Sequence, residues 1–466
     1  YIDGRRIEKL ATEQLIIDKP RTDPDDVFDL GDSQVTVQYG NYIKLDDSNI
    51  VGVPEIDTLG LINLRNAANS VIGTCRARDM RYNGTEFELY IFDVTMTGNF
   101  SDVDNVVGTG SDTFTADLSA VGQRFSTGKN TLLFNLPAQS IKTVESGSNK
   151  LDITLRQKVS GTISGSTNKT LTFSLAEGTV ADLNNIIVSD ADGTTIRVNV
   201  NTSSSSITAG GSSATIQAQN NQLDALSNTG VRVIVNVQGT NLSARTKQTQ
   251  NVRNLTSSVF TFNTDANGLI ASGRTVDLGV ADVYNLVSVK DADDSAGNDV
   301  TASFVLDTGQ RDSYYDIAKL TLKGGETLLI NHTYHVEFDY YSHGTEGDYF
   351  SVDSYGSAVE AYENIPSYNG INLRDAIDFR PVRDTSTGFA RVGSTGIPGS
   401  FAVATLPIKH WMPRIDKVFL TKEGNYQVVK GRTSRFPVEP ENIENAIHLY
   451  NLSMNAYVFS TRGVGV

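Results

Sequence analysis

Cysteine is nearly absent, with Cys75 the only one in 466 residues. A lone thiol excludes an intrachain disulfide framework, so packing and partners must hold the chain together, and Cys75 reads as a small core hydrophobe. Trp411 is the only tryptophan, and there are four methionines and five histidines. Basic residues are outnumbered, 39 Lys and Arg against 54 Asp and Glu, giving a formal net charge of −15. That balance argues against nucleic acid or an anionic membrane as partner, because both call for clustered cations. No apolar run reaches the roughly 18 residues of a membrane span, and the first residues do not follow a charged, then apolar, signal pattern. The expectation is a protein without membrane insertion.

What is present is β pattern. Short apolar–polar alternations separated by turn residues occur at Gln34–Tyr39, Glu86–Met96, Leu151–Gln157, Thr170–Leu175, Thr195–Val200, Val231–Val237, Ser257–Asn263 and Tyr334–Tyr340. Val, Ile, Thr and Phe fill them, as half-buried pleated surfaces favour. The fold class read from this is mainly β, several β-sandwich or small-barrel-like modules in series with few short helices. Helical pattern is confined to Asp57–Ala68, Leu373–Ile377 and Pro440–Leu449, the last with acids near its start and His448 near its end. A single core seldom exceeds roughly 250 to 300 residues, so several modules are expected. The divisions are 1–100, 101–255 with a variable Ser/Gly/Asn-rich insertion, 256–335, and 336–466 with an aromatic, acidic block, a β-hairpin and a short helix. The insertion is placed at Asn201–Gln222, an exposed loop or edge. The chain opens on Tyr1 rather than Met, in what reads as strand, so a missing N-terminal portion is expected.

Catalytic and metal signatures are weak. Asp190, Asp192 and Gly193 resemble the first positions of a calcium loop, but no acidic residue closes it and a hairpin is the better reading. Asp291, Asp293, Asp294 and Asp299 form a second acidic loop without ordered ligand spacing. His332, His335 and His343 cluster, yet on a strand the first two face opposite sides and no further zinc motif accompanies them. There is no GxSxG elbow, no phosphate loop and no GxGxxG after a strand. A glycosidase pair needs carboxylates roughly 5 to 9.5 Å apart across a cleft, and one tryptophan is thin support for such a cleft. Asn-x-Ser/Thr triplets at Asn83, Asn99, Asn168, Asn201, Asn241, Asn254, Asn331 and Asn451 read as chance in an Asn-, Ser- and Thr-rich chain. No catalytic residue, metal or cofactor is assigned, and the chain is not expected to be an enzyme.

The densest feature is Phe338–Pro381, rich in aromatics and acids. Tyr340, Tyr341, Tyr349, Phe350, Tyr355, Tyr362 and Tyr368 bury large area at low rotamer cost, and the tyrosines keep a hydroxyl to bond. They are read as an inter-subunit contact surface, whose Tyr349→Ala or Tyr355→Ala variants would impair assembly more than folding. Downstream, Lys409–Gly431 has the form of two strands joined at Lys422–Asn425, with Ile415, Val418, Leu420, Val428 and Val429 as the buried faces.

Segments FDYYSHGTEGDYFSVDSY, ENIPSYNG and LRDAIDFRP of that block resemble large tail structural proteins of contractile-tailed bacteriophages, the baseplate wedge family. Tyr1–Arg21, Gly73–Met96, Asp307–Gly325 and Pro413–Gly431 agree in the same order, whereas about Ser160 to Thr256 departs from the pattern. The resemblance implies a virion component made in the host cytoplasm. It would act in multiple copies of a symmetric assembly, through contacts with other baseplate or tail proteins and possibly tail fibres. Two alternatives stay open: a tail fibre or fibre-adaptor protein for host recognition, and a tail-associated polysaccharide hydrolase.

Overall fold

The computed structural model describes residues 27–36, 41–56, 60–110, 113–119, 125–127, 132–144, 153–176, 178–239, 243–256, 275–292, 295–326, 334–356, 362, 364–384, 388–390, 397–398, 403–457 and 464–465. It is a mainly β protein of several sheets and half-barrels in series.

The first module is a seven-stranded antiparallel sheet, ordered Thr115–Asp117, Asn105–Gly108, Ile62–Arg65, Val71–Tyr82, Phe87–Met96, Asn41–Leu45 and Phe125–Thr127. Alternate residues Ile43, Leu45, Ile62, Leu64, Cys75, Ala77, Leu89 and Ile91 point inward and are sealed from solvent, the period-two pattern of a sheet with one buried face. Leu45 bridges Leu118, which curls the sheet toward closure. Cys75 therefore sits in a core, where burial pushes its thiol pKa far up.

The second module, 153–239, is a sandwich made by one strand that changes sheets. Ile153–Ser164 pairs with Arg232–Gly239 up to Ser160 and with Thr170–Ser174 from Gly161 onward. A Cβ at Gly161 would stand 2.8 Å from Val233 Cγ2 and 2.9 Å from Leu171 Cδ1, so glycine lets the crossing strand approach both sheets. Ile187 and Ile234 reach into the first module's core. Arg156, buried, donates to Asp79 Oδ1 (3.2 Å) and the Met80 carbonyl (3.0 Å), fastening the two modules.

The third module packs Lys247–Thr256, His335–His343 and Val283–Lys290 in one sheet against Thr275–Ala281, Ile317–Leu322 and Phe304–Asp307 in another. Between the modules, Val27–Thr36, Val403–Trp411 and Ile141–Val144 form a sheet of sequence-distant strands, and Leu133–Asn135 pairs with Ala376–Asp378. Phe134, Ile141, Val144, Ile377 and Ile408 enclose a mixed core with Tyr349, Phe379 and Trp411. A further sheet, Tyr426–Val429, Arg414–Thr421, Ala446–Met454 and Val464–Gly465, ends the described fold.

Strands cross the expected divisions. Asn105–Gly108 and Thr115–Asp117 belong to the first sheet, and Lys247–Thr256 pairs with His335–His343 inside the third module. Such pairings join residues far apart in sequence, so local composition does not mark the boundaries. The expected helices are corrected as well. Ile62–Arg65 is a strand, Leu373–Asp375 is a single 3₁₀ turn entering a strand, and Ala446–Met454 is a strand preceded by irregular chain. In the first two, burial overrides a helical propensity of tenths of a kcal/mol per residue; in the third, where Ala446–Leu449 are exposed or half-buried, pairing along Arg414–Thr421 does so. The hairpin is found with Arg414–Thr421 paired to Tyr426–Val429 and Gly424 at φ 83°. Of its expected apolar face only Val418 is fully buried, because Arg414 and Asp416, ion-paired at 3.2 Å, share the inward side. Ser257–Asn263 lies outside the described residues. The Ser/Gly-rich stretch ends its sheet at the edge strand Ser206–Ile207, although Ile216 is buried.

Candidate functional site

The aromatic block is inside the molecule. Tyr341, Tyr349, Phe350, Tyr355 and Tyr362 are buried, and Tyr340 and Tyr368 are partly buried. Tyr341 stacks on Tyr284 at 4.5 Å and meets Tyr355 edge-on at 5.1 Å. Tyr349 and Phe379 lie 5.9 Å apart, Tyr362 and Tyr457 4.1 Å. The Tyr368 hydroxyl donates to Asp312 Oδ1 (2.9 Å). The expected inter-subunit surface is thus corrected to a junction between modules of one chain. A large ring with a polar tip suits either role, and nothing in the sequence says whether the opposing surface belongs to the same chain.

A closed polar network sits at the centre of that junction. Lys247 begins its strand directly across from His343. Asp282 forms the corner between Thr275–Ala281 and Val283–Lys290, which lie in different sheets, and adopts φ 58°, a strained conformation for aspartate. Lys247 Nζ donates to Asp282 Oδ2 (2.7 Å), Tyr315 Oη (3.0 Å) and Tyr355 Oη (3.2 Å). His343 Nε2 is 2.9 Å from Asp282 Oδ2, and Gln310 Nε2 donates to Oδ1 at 3.3 Å. Beyond Tyr315, whose hydroxyl donates to Asp378 Oδ2 (2.6 Å), Arg380 clasps Asp378 with Nε (2.9 Å) and Nη2 (2.8 Å). The Lys247 and Arg380 side chains are both 0 % exposed.

The charges feel this enclosure. Burial pushes Lys247 below the ordinary lysine pKa, against the pull of Asp282. At Asp282 burial acts upward, but Lys247 and the His343 contact outweigh it and hold the carboxyl well below the usual range. Burial raises Tyr315 and Tyr355 well above ordinary tyrosine. At Arg380 burial is overridden by Asp378, which raises the guanidinium further.

Burial lowers His343 from 6.5 to about 4, with Asp282 opposing and Lys247 adding to it. Between those values the unfolded chain binds a proton that the folded protein does not, so stability falls as pH drops from 6.5 to about 4. At roughly 1.4 kcal/mol per pH unit the loss is about 3 kcal/mol. Urea denaturation at a series of pH values should show that slope, and His343→Gln should remove it; an equal slope in the variant would assign it to other groups.

Other candidates resolve into turns. Asp190 accepts from Thr194 N (2.9 Å) and Ser227 N (2.6 Å), and Gly193 takes φ 87° in the hairpin between Ile186–Ser189 and Thr195–Val198; Asp192 is exposed beside it. Asp291 caps Asn298 N (2.6 Å) and Asp299 pairs with Lys290 (3.0 Å); Asp293 and Asp294 lie outside the described residues. His335 contacts Glu337 at 3.4 Å, His343 belongs to the network, and His332 lies outside the described residues. Among the described residues no three His, Cys, Asp or Glu side chains are grouped to hold a metal ion. Trp411 is buried with Lys142 Nζ 5.0 Å over its ring, rather than displayed for a sugar.

One accessible feature stands apart. Met412, Arg432, Thr433, Ser434, Arg435, Phe436 and Val438 line a groove of about 650 Å³. Phe436 is 85 % exposed and Val438 76 %. Their segment is irregular but tied down: Ser434 N donates to the Pro413 carbonyl (3.1 Å) and Lys417 pairs with Glu439 (3.2 Å).

Sequence reasoning missed Lys247, Asp282, Gln310, Tyr315, Asp378 and Arg380. Each is an ordinary residue of its own segment. Only Asp378 and Arg380, two apart in a strand-like stretch, carried a local signal, since that spacing puts both on one face. Comparison with protein-family models, curated proteins and solved structures finds no match for this chain.

Proposed function

We propose that the protein is a structural component of a contractile-tailed phage particle, a multi-module scaffold of the baseplate wedge that acts through protein–protein contacts. The observation that carries this reading is the contrast between its two unusual places. The elaborate polar network is sealed and has bonded partners throughout, whereas Phe436 and Val438 stand exposed on a segment anchored at both ends. A preorganised apolar pair loses little entropy on docking and supplies the kind of anchor that dominates interfaces. The exposed Arg432 and Arg435 beside it, on a chain of net charge −15, suit an acidic neighbour. The ordered run of segments resembling tail structural proteins points to such a neighbour within the baseplate.

The test is incorporation. Phe436→Ser with Val438→Ser should leave the thermal transition unchanged, since both side chains are already in water, and should reduce the chain's recovery in purified tails by at least about tenfold, the factor that 1.4 kcal/mol of lost affinity represents. Normal recovery of the double variant, or absence of the wild-type chain from particles, would refute the reading.

A further inference from the structure

The arrangement around Asp282 is more complete than an ion pair requires, and we infer that Lys247 and Asp282 react to form an intramolecular amide bond between Nζ and Cγ. This does not depend on the virion reading.

The geometry supplies each part of the reaction. The nucleophile, Lys247 Nζ, rests 2.7 Å from Asp282 Oδ2 and is held by two more bonds, to Tyr315 and Tyr355. The rings of Tyr315, Phe350 and Tyr355 stand 4.4, 4.6 and 4.9 Å from Nζ. The two carboxylate oxygens are differentiated. Oδ1 receives the Gln310 amide N–H (3.3 Å), and Oδ2 faces His343 Nε2 (2.9 Å). Asp282 is itself fixed at a strained corner, with Tyr341 N donating to its carbonyl (3.1 Å).

The steps balance without an oxidant or an energy carrier. One ammonium proton of Lys247 passes to Oδ2 along the 2.7 Å hydrogen bond, converting two buried charges into a neutral amine and a neutral acid; burial penalises both charges, and the pull of Lys247 that keeps the carboxyl ionised lapses as its ammonium is neutralised. Nζ attacks Cγ, and the developing negative charge falls on Oδ1, where Gln310 donates. His343 takes a second proton from Nζ and delivers it to Oδ2. The C–N bond forms, the Cγ–Oδ2 bond breaks, and one water leaves. His343 is suited to this because burial keeps it neutral near pH 7 and able to accept a proton. Amide formation competes poorly with hydrolysis in bulk water. Here effective molarities of about 10⁵–10⁸ M for well-oriented groups, and a dry site, reverse that balance.

The amide would tie the first residue of strand Lys247–Thr256 to a corner 35 residues away and close that end of the third module. It is a single self-modification, with no turnover.

The experiment is the intact mass of the full chain under denaturing conditions, followed by a tryptic map. The expected mass is one water below that of the sequence, with cleavage after Lys247 blocked and its peptide joined to the one carrying Asp282. Asp282→Asn should converge on the same final mass as the wild type, because it loses ammonia in place of water. Asp282→Ala should keep its full sequence mass, and His343→Phe should slow the loss at least about tenfold. Because the wild-type measurement needs no variant to fold, it decides by itself. Full sequence mass after prolonged incubation of the folded chain would overturn the inference, as would a water lost elsewhere, for instance as a succinimide within the Asp282 peptide.

Discussion

Arg380→Met is expected to destabilise the protein by about 3–5 kcal/mol, the cost of stranding a buried charge. Arg380 has no exposed surface, and its guanidinium bridges Asp378, Tyr315 and the Arg311 carbonyl (2.8 Å). Methionine fills much of the same volume, so the loss comes from Asp378, left buried without its cationic partner, rather than from a cavity. A second change, Asp378→Leu, should restore part of the loss, because removing both charges removes the desolvation that their pairing offsets. Urea denaturation of the two variants gives both numbers. A loss below about 1 kcal/mol for Arg380→Met would mean that the carboxylate reaches water or another cation, and that the junction is looser than its geometry.

Tyr349→Ala should cost a comparable amount, about 3–5 kcal/mol, from lost transfer energy plus the hole left behind. Tyr349 is wholly buried against Phe379 in the core where sequence-distant strands meet. Its carbonyl accepts from Arg245 N (2.6 Å), so the segment leading into the Lys247 strand is fastened at the same point. The outcome separates two roles for the aromatic block. A junction inside the chain predicts a lower thermal transition before any assembly is attempted. A variant with the wild-type transition that fails to enter particles would return Tyr349 to an inter-subunit surface.

The consequences for assembly follow from where the aromatic block lies. Since its large rings are consumed in joining modules, the proposed contact with neighbours would fall to smaller exposed features such as Phe436 and Val438. These lie on the approach to Pro440–Leu449, the segment read from sequence as a helix. In the structure the approach leads to strand Ala446–Met454, paired along Arg414–Thr421, and the segment before it is left standing in solvent.

Alternation of Val, Ile, Thr and Phe with polar residues, as at Thr170–Leu175 or Val231–Val237, was enough to determine that this is a mainly β protein. In Thr170–Ser174 burial alternates as that pattern implies, because a period of two follows from the extended backbone alone. The Asp-Gly turn at Asp192 and Gly193 and the hairpin closing at Gly424 were equally legible, being local conformations written in adjacent residues. What only the tertiary structure decided is which strands meet, and therefore that Lys247, Asp282, Tyr315, His343, Asp378 and Arg380, spread over 134 positions of the sequence, share one dry chamber. Burial energy and electrostatics act through space, and the distance along the chain enters neither.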